Sequence, residues 1–301
     1  MPLILLCFHS IYSIAQFYNG TQQTYGKNRP IYNQFFWTFH RAPQFDVYYY
    51  QGGEELATYL TNFANAEISR LESLTKSSLD ERIVFIVFNR LNDFRQSNIG
   101  LVTGKEDYNL GGTNQLLRNK ASVYFESSYT EFEQQISSAI TELLMLQLLL
   151  GGSNKSPWES DIQNAYPTWY FDGLKAFLSQ GWSVSNEMML HAASTKNRIS
   201  KINSFKGDDA IVVGQAFWFF FANMYGTHAI AECLEITNFF DNFSKALKII
   251  SGKKARYLYL DFENYWSNRL TTLPIDTVYN KAVKPIIKVN SKRKITQIGV
   301  S

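Results

Sequence analysis

Apart from a β-like octapeptide at residues 294–301, the segments typical of β-strands lie within the first 128 residues of this 301-residue chain. Aromatic and β-branched residues predict one or two strands over 34–50, a buried strand over 81–89 and another strand over 121–128. A single amphipathic helix, predicted to begin at residue 54, interrupts them. Because strands come first and most helical segments follow, the order predicts an α+β fold rather than a doubly wound sheet.

The strongest helical pattern covers residues 130–150 and ends at Gly151-Gly152, a pair suited to a helix C-terminus. A second helix is predicted over 167–180, where proline stands at the helix start. Helical spacing then continues to about residue 270. We therefore expect the second half of the chain to be mostly helical.

Composition limits the classes of protein to which the chain can belong. Hydrophobic residues make up 45% and aromatic residues 16% of it, which is enough to bury a large core. The formal net charge is only +3, too small to indicate a nucleic-acid partner. No apolar run reaches the roughly 18 residues of a membrane-spanning helix. We therefore expect no nucleic-acid partner and at most a peripheral contact with a membrane.

The first residues predict export. Residues 2–15 carry no charge and are typical of the apolar region of a secretory signal, with Ser13 and Ala15 as the small residues before a cleavage point. The basic residues that usually precede such a region are absent, and the alternative is a buried N-terminal strand. On the first interpretation, residues 1–15 are a signal peptide and the protein is exported to the periplasm or the outer envelope.

Several separated segments together resemble a known family, with their order preserved. They cover most of residues 24–270, and they are 26–60, 86–98, 111–136, 167–182 and 214–226. The family comprises exported Bacteroidetes proteins often labelled TolB-like, in which a gluzincin-type metallopeptidase-like domain precedes a β-propeller. The resemblance implies a gluzincin-like fold, with a small N-terminal mixed sheet followed by a mostly helical half.

The resemblance also implies a division of the chain. Residues 16–128 would form the sheet-containing subdomain, and residues 129–270 the helical subdomain that carries the site. Residues 271–301, which include a basic tail, would be a linker leading to an absent or truncated propeller.

The expected zinc site is degenerate in this sequence. Active gluzincins carry H-E-x-x-H on a helix, where two histidines bind zinc and the glutamate acts as general base toward the metal-bound water. The resemblance aligns this motif with residues 141–145, so that Thr141 and Met145 stand at the histidine positions and Glu142 keeps the general-base position. The third ligand, a carboxylate from a following helix, would be Asp172. Because a hydroxyl and a thioether are poor replacements for imidazole, we expect no bound zinc, no other cofactor and no zinc hydrolase.

The remaining histidines do not suggest a substitute site. His40, His191 and His228 lie in separate predicted elements, and none is paired with another at helical spacing. We expect each to be an ordinary core or surface histidine.

Two carboxylates keep alternative interpretations. Glu142 is either a remnant acid or base, or a buried carboxylate held by a neighbouring polar group. Asp172 is either part of a retained polar cleft, or a residue stabilised by the dipole of its own helix.

Three functions remain open. The first is a pseudopeptidase that acts as a peptide-binding or scaffold module in the cell envelope. Its candidate peptide-binding edge strand is Ser122, Val123, Tyr124 and Phe125, because an exposed edge can pair with an extended peptide. The second is a zinc-independent or unconventionally metallated hydrolase that uses Glu142 and Asp172. The third is a structural domain that presents or stabilises a partner protein in the envelope.

Overall fold

The computed structural model describes residues 32, 34–97, 115–117, 119–150 and 166–271. The predicted signal peptide (1–15) and nearly all of the predicted linker (271–301) lie outside the described residues.

One five-stranded mixed sheet occupies the N-terminal part of the described chain. Its strand order is β1-β2-β3-β5-β4, where the outer pairs β1–β2 and β4–β5 are antiparallel and the inner pairs β2–β3 and β3–β5 are parallel. The strands are β1 (Trp37–Arg41), β2 (Phe45–Tyr50), β3 (Ile83–Phe88), β4 (Gln115–Leu117) and β5 (Lys120–Tyr124). The inner strands β2 and β3 are almost continuously apolar and buried, as expected for parallel strands covered on both faces.

Helices dominate the remainder of the described chain, and the predicted α+β fold is confirmed. The helices are α1 (Glu54–Thr75), α2 (Leu91–Arg95), α3 (Tyr129–Leu150), α4 (Thr168–Gln180), α5 (Val184–Lys196), α6 (Gly207–Tyr225), α7 (His228–Phe240), α8 (Phe243–Ser251) and α9 (Ala255–Thr271). Within the ranges described, none of these helices is long and apolar enough to cross a membrane. The short elements α2 and β4 were not predicted, because five and three residues are too few to show a period.

The sheet and the helices share one continuous hydrophobic core. Helices α1 and α3 contact the sheet through β2 and β5, and buried side chains of the sheet belong to the same cluster as those of α4 and α6. A second, smaller cluster lies on the opposite face of the sheet, and it consists of Tyr50, Ile86, Phe88, Phe94 and Tyr124. The predicted subdomains 16–128 and 129–270 therefore pack together through a common core in their described parts.

Helices α4 and α6 cross at two glycines. A Cβ atom added at Gly214 would lie 2.0 Å from the carbonyl oxygen of Trp169, and one added at Gly173 would lie 2.6 Å from the Cα atom of Gly214. The two backbones therefore touch, because neither position has room for a side chain. The indole Nε1 of Trp218 on α6 also donates to the carbonyl oxygen of Tyr170 on α4 at 3.0 Å. This contact fixes the position of α4, which carries Asp172.

The close approach of the two helices predicts that one methyl group added at Gly214 will lower the stability of the fold substantially. Gly214→Ala should lower the free energy of unfolding by more than about 2 kcal/mol, because the strain of overpacking against backbone outweighs the better helix propensity of alanine. Urea denaturation measures the change. Asn223→Ala is the control, since Asn223 is exposed on the same helix and its side chain bonds only within that helix. Equal stability of the Gly214→Ala variant and the native chain would contradict the close contact.

Candidate functional site

The degenerate motif lies on α3, where its residues face the interior. The side chains of Thr141 and Met145 are both fully buried, and Met145 belongs to the main hydrophobic cluster. Glu142 is also buried, with 8% of the residue exposed. The two positions that the resemblance aligns with histidine ligands are therefore core positions of this protein.

Helix α4 brings a cation to Glu142. The Nζ atom of Lys175 donates to Oε2 of Glu142 at 3.0 Å and lies 3.5 Å from Oδ1 of Asp172. Only about a quarter of the Lys175 side chain is exposed (24%), and the side chain of Glu142 is 11% exposed. The structure thus brings Glu142 and Asp172 together, as predicted for one site, but it does so around an ammonium group.

The two carboxylates keep Lys175 charged. Burial alone would lower the pKa of the Lys175 ammonium, but the charges of Glu142 and Asp172 outweigh the burial and raise its pKa above the ordinary value. Lys175 is therefore protonated at neutral pH, and it can serve there neither as a nucleophile nor as a general base.

The residues present do not fit a zinc ion. The hydroxyl oxygen of Thr141 is buried and has no hydrogen-bond partner among the described residues. Met145 supplies only a thioether, and the Lys175 ammonium adds a positive charge beside both carboxylates. Zinc sites in proteins are built from imidazole, thiolate and carboxylate groups instead. Across the described part of the chain, no three His, Cys, Asp or Glu side chains are grouped so that they could hold a metal ion.

The three histidines outside the predicted signal peptide lie apart from Glu142 in the chain and on other elements. His40 is on β1, where its Nε2 atom is 2.9 Å from the hydroxyl of Tyr49. His191 is on α5, and His228 begins α7.

Strand β5 was predicted to be an exposed edge strand, and this predicted position is wrong. Strand β5 is internal, because β3 pairs with it on one side and β4 pairs with Lys120–Ser122 on the other. Ser122, Val123 and Tyr124 belong to β5, and Phe125 follows its end. No sequence pattern indicated this pairing, because the three-residue strand β4 is too short to be recognised.

The end of β5 is closed by a side chain. Gln135 on α3 accepts the backbone N–H of Tyr124 at its Oε1 atom (3.1 Å) and donates from Nε2 to the carbonyl oxygen of Tyr124 (3.0 Å). The amide group of glutamine thus takes both backbone bonds that a neighbouring strand would make. An extended peptide could pair with Tyr124 only by displacing Gln135.

Two residues of this site were missed by sequence reasoning. Lys175 lies three residues after Asp172 on a predicted helix, so their spacing alone indicated that they could pair. Nothing in the sequence indicated the pairing of Lys175 with Glu142, or that of Gln135 with Tyr124, because each joins separate elements.

A second buried carboxylate joins α1 to α3 and α4. The carboxylate of Glu67 on α1 accepts hydrogen bonds from Nε and Nη2 of Arg70 (2.8 and 2.6 Å) and from the hydroxyl of Ser137 on α3. Arg70 also donates to the carbonyl oxygen of Leu178 near the end of α4 at 2.7 Å. These groups line a groove of about 400 Å³ between the three helices. Because the carboxylate and the guanidinium are already paired with each other, the cluster is a structural link between helices.

This link predicts a pH-dependent loss of stability. Burial would raise the pKa of Glu67, but hydrogen bonds from Arg70 and Ser137 outweigh it and lower the pKa. An ionised Glu67 therefore stabilises the fold above its unfolded pKa of about 4.3, and this contribution is lost as the pH falls through the lower folded pKa. Glu67→Gln should cost about 1–3 kcal/mol at pH 7, and the cost should shrink progressively below about pH 4.

Urea denaturation of both chains at several pH values measures this difference. Glu235→Gln is the control, because Glu235 is exposed on α7 and its replacement should change stability little at any pH. A cost for Glu67→Gln that stays constant down to pH 3 would show that the charge of Glu67 does not contribute.

No protein-family model, curated protein or solved structure matches this chain. The resemblance to exported metallopeptidase-like domains therefore rests on the sequence segments given above.

Proposed function

We propose that this chain is a non-catalytic metallopeptidase-like domain, exported to the bacterial periplasm or outer envelope, that acts as a scaffold for a protein partner. The observation that carries the proposal is the Lys175 ammonium between Glu142 and Asp172. It stands beside the residue that would be the general base of a peptidase. The buried residues at the two histidine positions, Thr141 and Met145, support the same conclusion.

The geometry gives less support to a hydrolase that uses Glu142 and Asp172. Two carboxylates in one site can divide the roles of acid and base only if their environments differ enough to separate their protonation states. Here both carboxylates contact the same ammonium, so the structure gives them the same counter-charge rather than two different environments. A shared cation of this kind holds two helices together rather than preparing one carboxyl group to donate a proton.

Between the two binding roles, the sheet favours a scaffold over a peptide cleft. Recognition of an extended peptide at β5 needs free backbone groups along its outer side. Strand β4 takes those of Lys120–Ser122, and Gln135 takes those of Tyr124. The partner of the scaffold would therefore be a folded envelope protein, which contacts the surface of the domain rather than extending its sheet at β5.

The non-catalytic proposal makes a prediction about metal and turnover. The intact chain, purified without a histidine tag and dialysed against trace zinc, should retain less than about a tenth of an equivalent of zinc, because the donor set does not suit the ion. Elemental analysis measures this. The chain should also cleave no peptide from a mixed library, and Glu142→Gln should behave identically. Turnover that Glu142→Gln abolishes would establish the hydrolase instead.

The scaffold proposal makes a separate prediction about the sheet edge. Gln135→Ala removes the side-chain amide that bonds to the backbone of Tyr124, so a peptide-binding protein should change its partners whereas a scaffold should not. Cross-linking in the native cell envelope, followed by mass spectrometry, should recover the same partner for the native chain and for Gln135→Ala. Gln134→Ala is the matched control, because Gln134 is the exposed neighbour on α3. A partner that is lost or exchanged only in Gln135→Ala would favour peptide binding at the edge.

A further inference from the structure

We propose that the Lys175 ammonium is a tethered cation that excludes divalent metal ions from the space between Glu142 and Asp172. The proposal concerns the electrostatics of the site and does not depend on the scaffold function. It follows from the position of one nitrogen atom relative to two carboxylates on different helices.

Both carboxylates approach one point. Glu142 reaches it from α3 and Asp172 from α4, and the Nζ atom of Lys175 lies 3.0 and 3.5 Å from their nearest oxygens. Helix α4 cannot easily move away from α3, because its backbone contacts that of α6 at Gly173 and Gly214. Two anionic groups therefore stay close together, whatever cation lies between them.

The site needs a cation because it is largely shielded from water. The exposed fractions of the Glu142 and Asp172 side chains are 11% and 26%, so solvent screens their mutual repulsion only in part. A shielded pair of carboxylates without a counter-charge is strongly unfavourable. In this chain Lys175 supplies that charge, and its ammonium lies where a second cation would have to sit to contact both carboxylates.

Removal of the ammonium would change the chemistry of the site. Carboxylate oxygens are the ligands preferred by Mg²⁺, Ca²⁺ and Mn²⁺, which also keep bound water to complete their coordination. Without Lys175, the two carboxylates form a bidentate oxygen site with two negative charges. We expect such a site to bind a hard divalent cation that the native chain rejects.

The experiment compares Mn²⁺ binding by the full-length native chain and by Lys175→Met. Methionine is similar to lysine in length but carries no charge. Electron paramagnetic resonance of free Mn²⁺ measures binding directly, and thermal unfolding with and without Mn²⁺ measures its effect on stability. Lys175→Met should unfold at a lower temperature than the native chain in chelator, bind Mn²⁺ at least about tenfold more tightly, and regain stability when Mn²⁺ is added. The native chain should not respond to Mn²⁺.

Two control variants assign the effect to this site. Lys175→Met combined with Glu142→Gln should lose the gain in Mn²⁺ affinity, because one of the two carboxylates is gone. Lys196→Met removes another ion-paired lysine, but its partner Asp209 and the lysine itself lie on the surface, where water screens the charge left behind. It should gain no Mn²⁺ affinity.

Three results would overturn the proposal. One is Mn²⁺ binding by Lys175→Met that is no tighter than binding by the native chain. Another is stoichiometric Mn²⁺ binding by the native chain that Glu142→Gln abolishes. The third is failure of both Lys175→Met and Lys175→Gln to fold with Mn²⁺ present. If Lys175→Met does not fold in chelator but folds when Mn²⁺ is added, that recovery supports the proposal. Peptide cleavage by the native chain would end the proposed scaffold function but leave the exclusion of metal intact.

Discussion

The contact between the backbones of α4 and α6 is the constraint on which the candidate site depends. At Gly173 and Gly214 the two helices approach so closely that no side chain fits between them. This contact sets the position of α4 relative to α6. Asp172 lies one residue before Gly173, the crossing point on α4, and Lys175 lies two residues after it. A single change in that spacing would move the ammonium relative to Glu142, which is fixed independently on α3. The electrostatics of the site are thus a consequence of helix packing.

The sequence predicted the architecture well where a period was long enough to read. The helix over 130–150 was predicted almost residue by residue, because its apolar residues recur at helical spacing, and the range 34–50 that was predicted to hold one or two strands contains both β1 and β2. The strand order could not be predicted in the same way. A free edge at β5 was expected because it precedes the helix that carries Glu142, and the short strand β4 that covers it has no readable pattern. The edge position of β5 was therefore predicted wrongly because β4 is too short to recognise in the sequence. The neighbours of a strand are also decided by tertiary contacts, which a local pattern does not contain.

The candidate site was half visible in the sequence. Glu142 and Asp172 were expected to share one site, and the structure brings both within 3.5 Å of one nitrogen atom. The nitrogen itself was missed: only its pairing with Asp172 has a spacing signal, because its ion pair with Glu142 joins two helices. The open choice about Glu142 also has a partial answer here. Its carboxylate is held by a neighbouring charged group, the ammonium of Lys175.

The burial of Thr141 and Met145 links the absence of good zinc ligands to the stability of the fold. A helix that holds a metal must turn polar ligands toward a cavity that substrate can enter, and it loses core packing on that face. In this protein the same face of α3 is closed, and Met145 fills it as part of the continuous core. Two polar contacts join α3 to its neighbours: the hydroxyl of Ser137 donates a hydrogen bond to Glu67 on α1, and Glu142 forms an ion pair with Lys175 on α4. Each of these features strengthens contacts between helices at positions where a peptidase would need open space. Helix α3, on which the resemblance places the zinc motif, thus helps to hold the described core together.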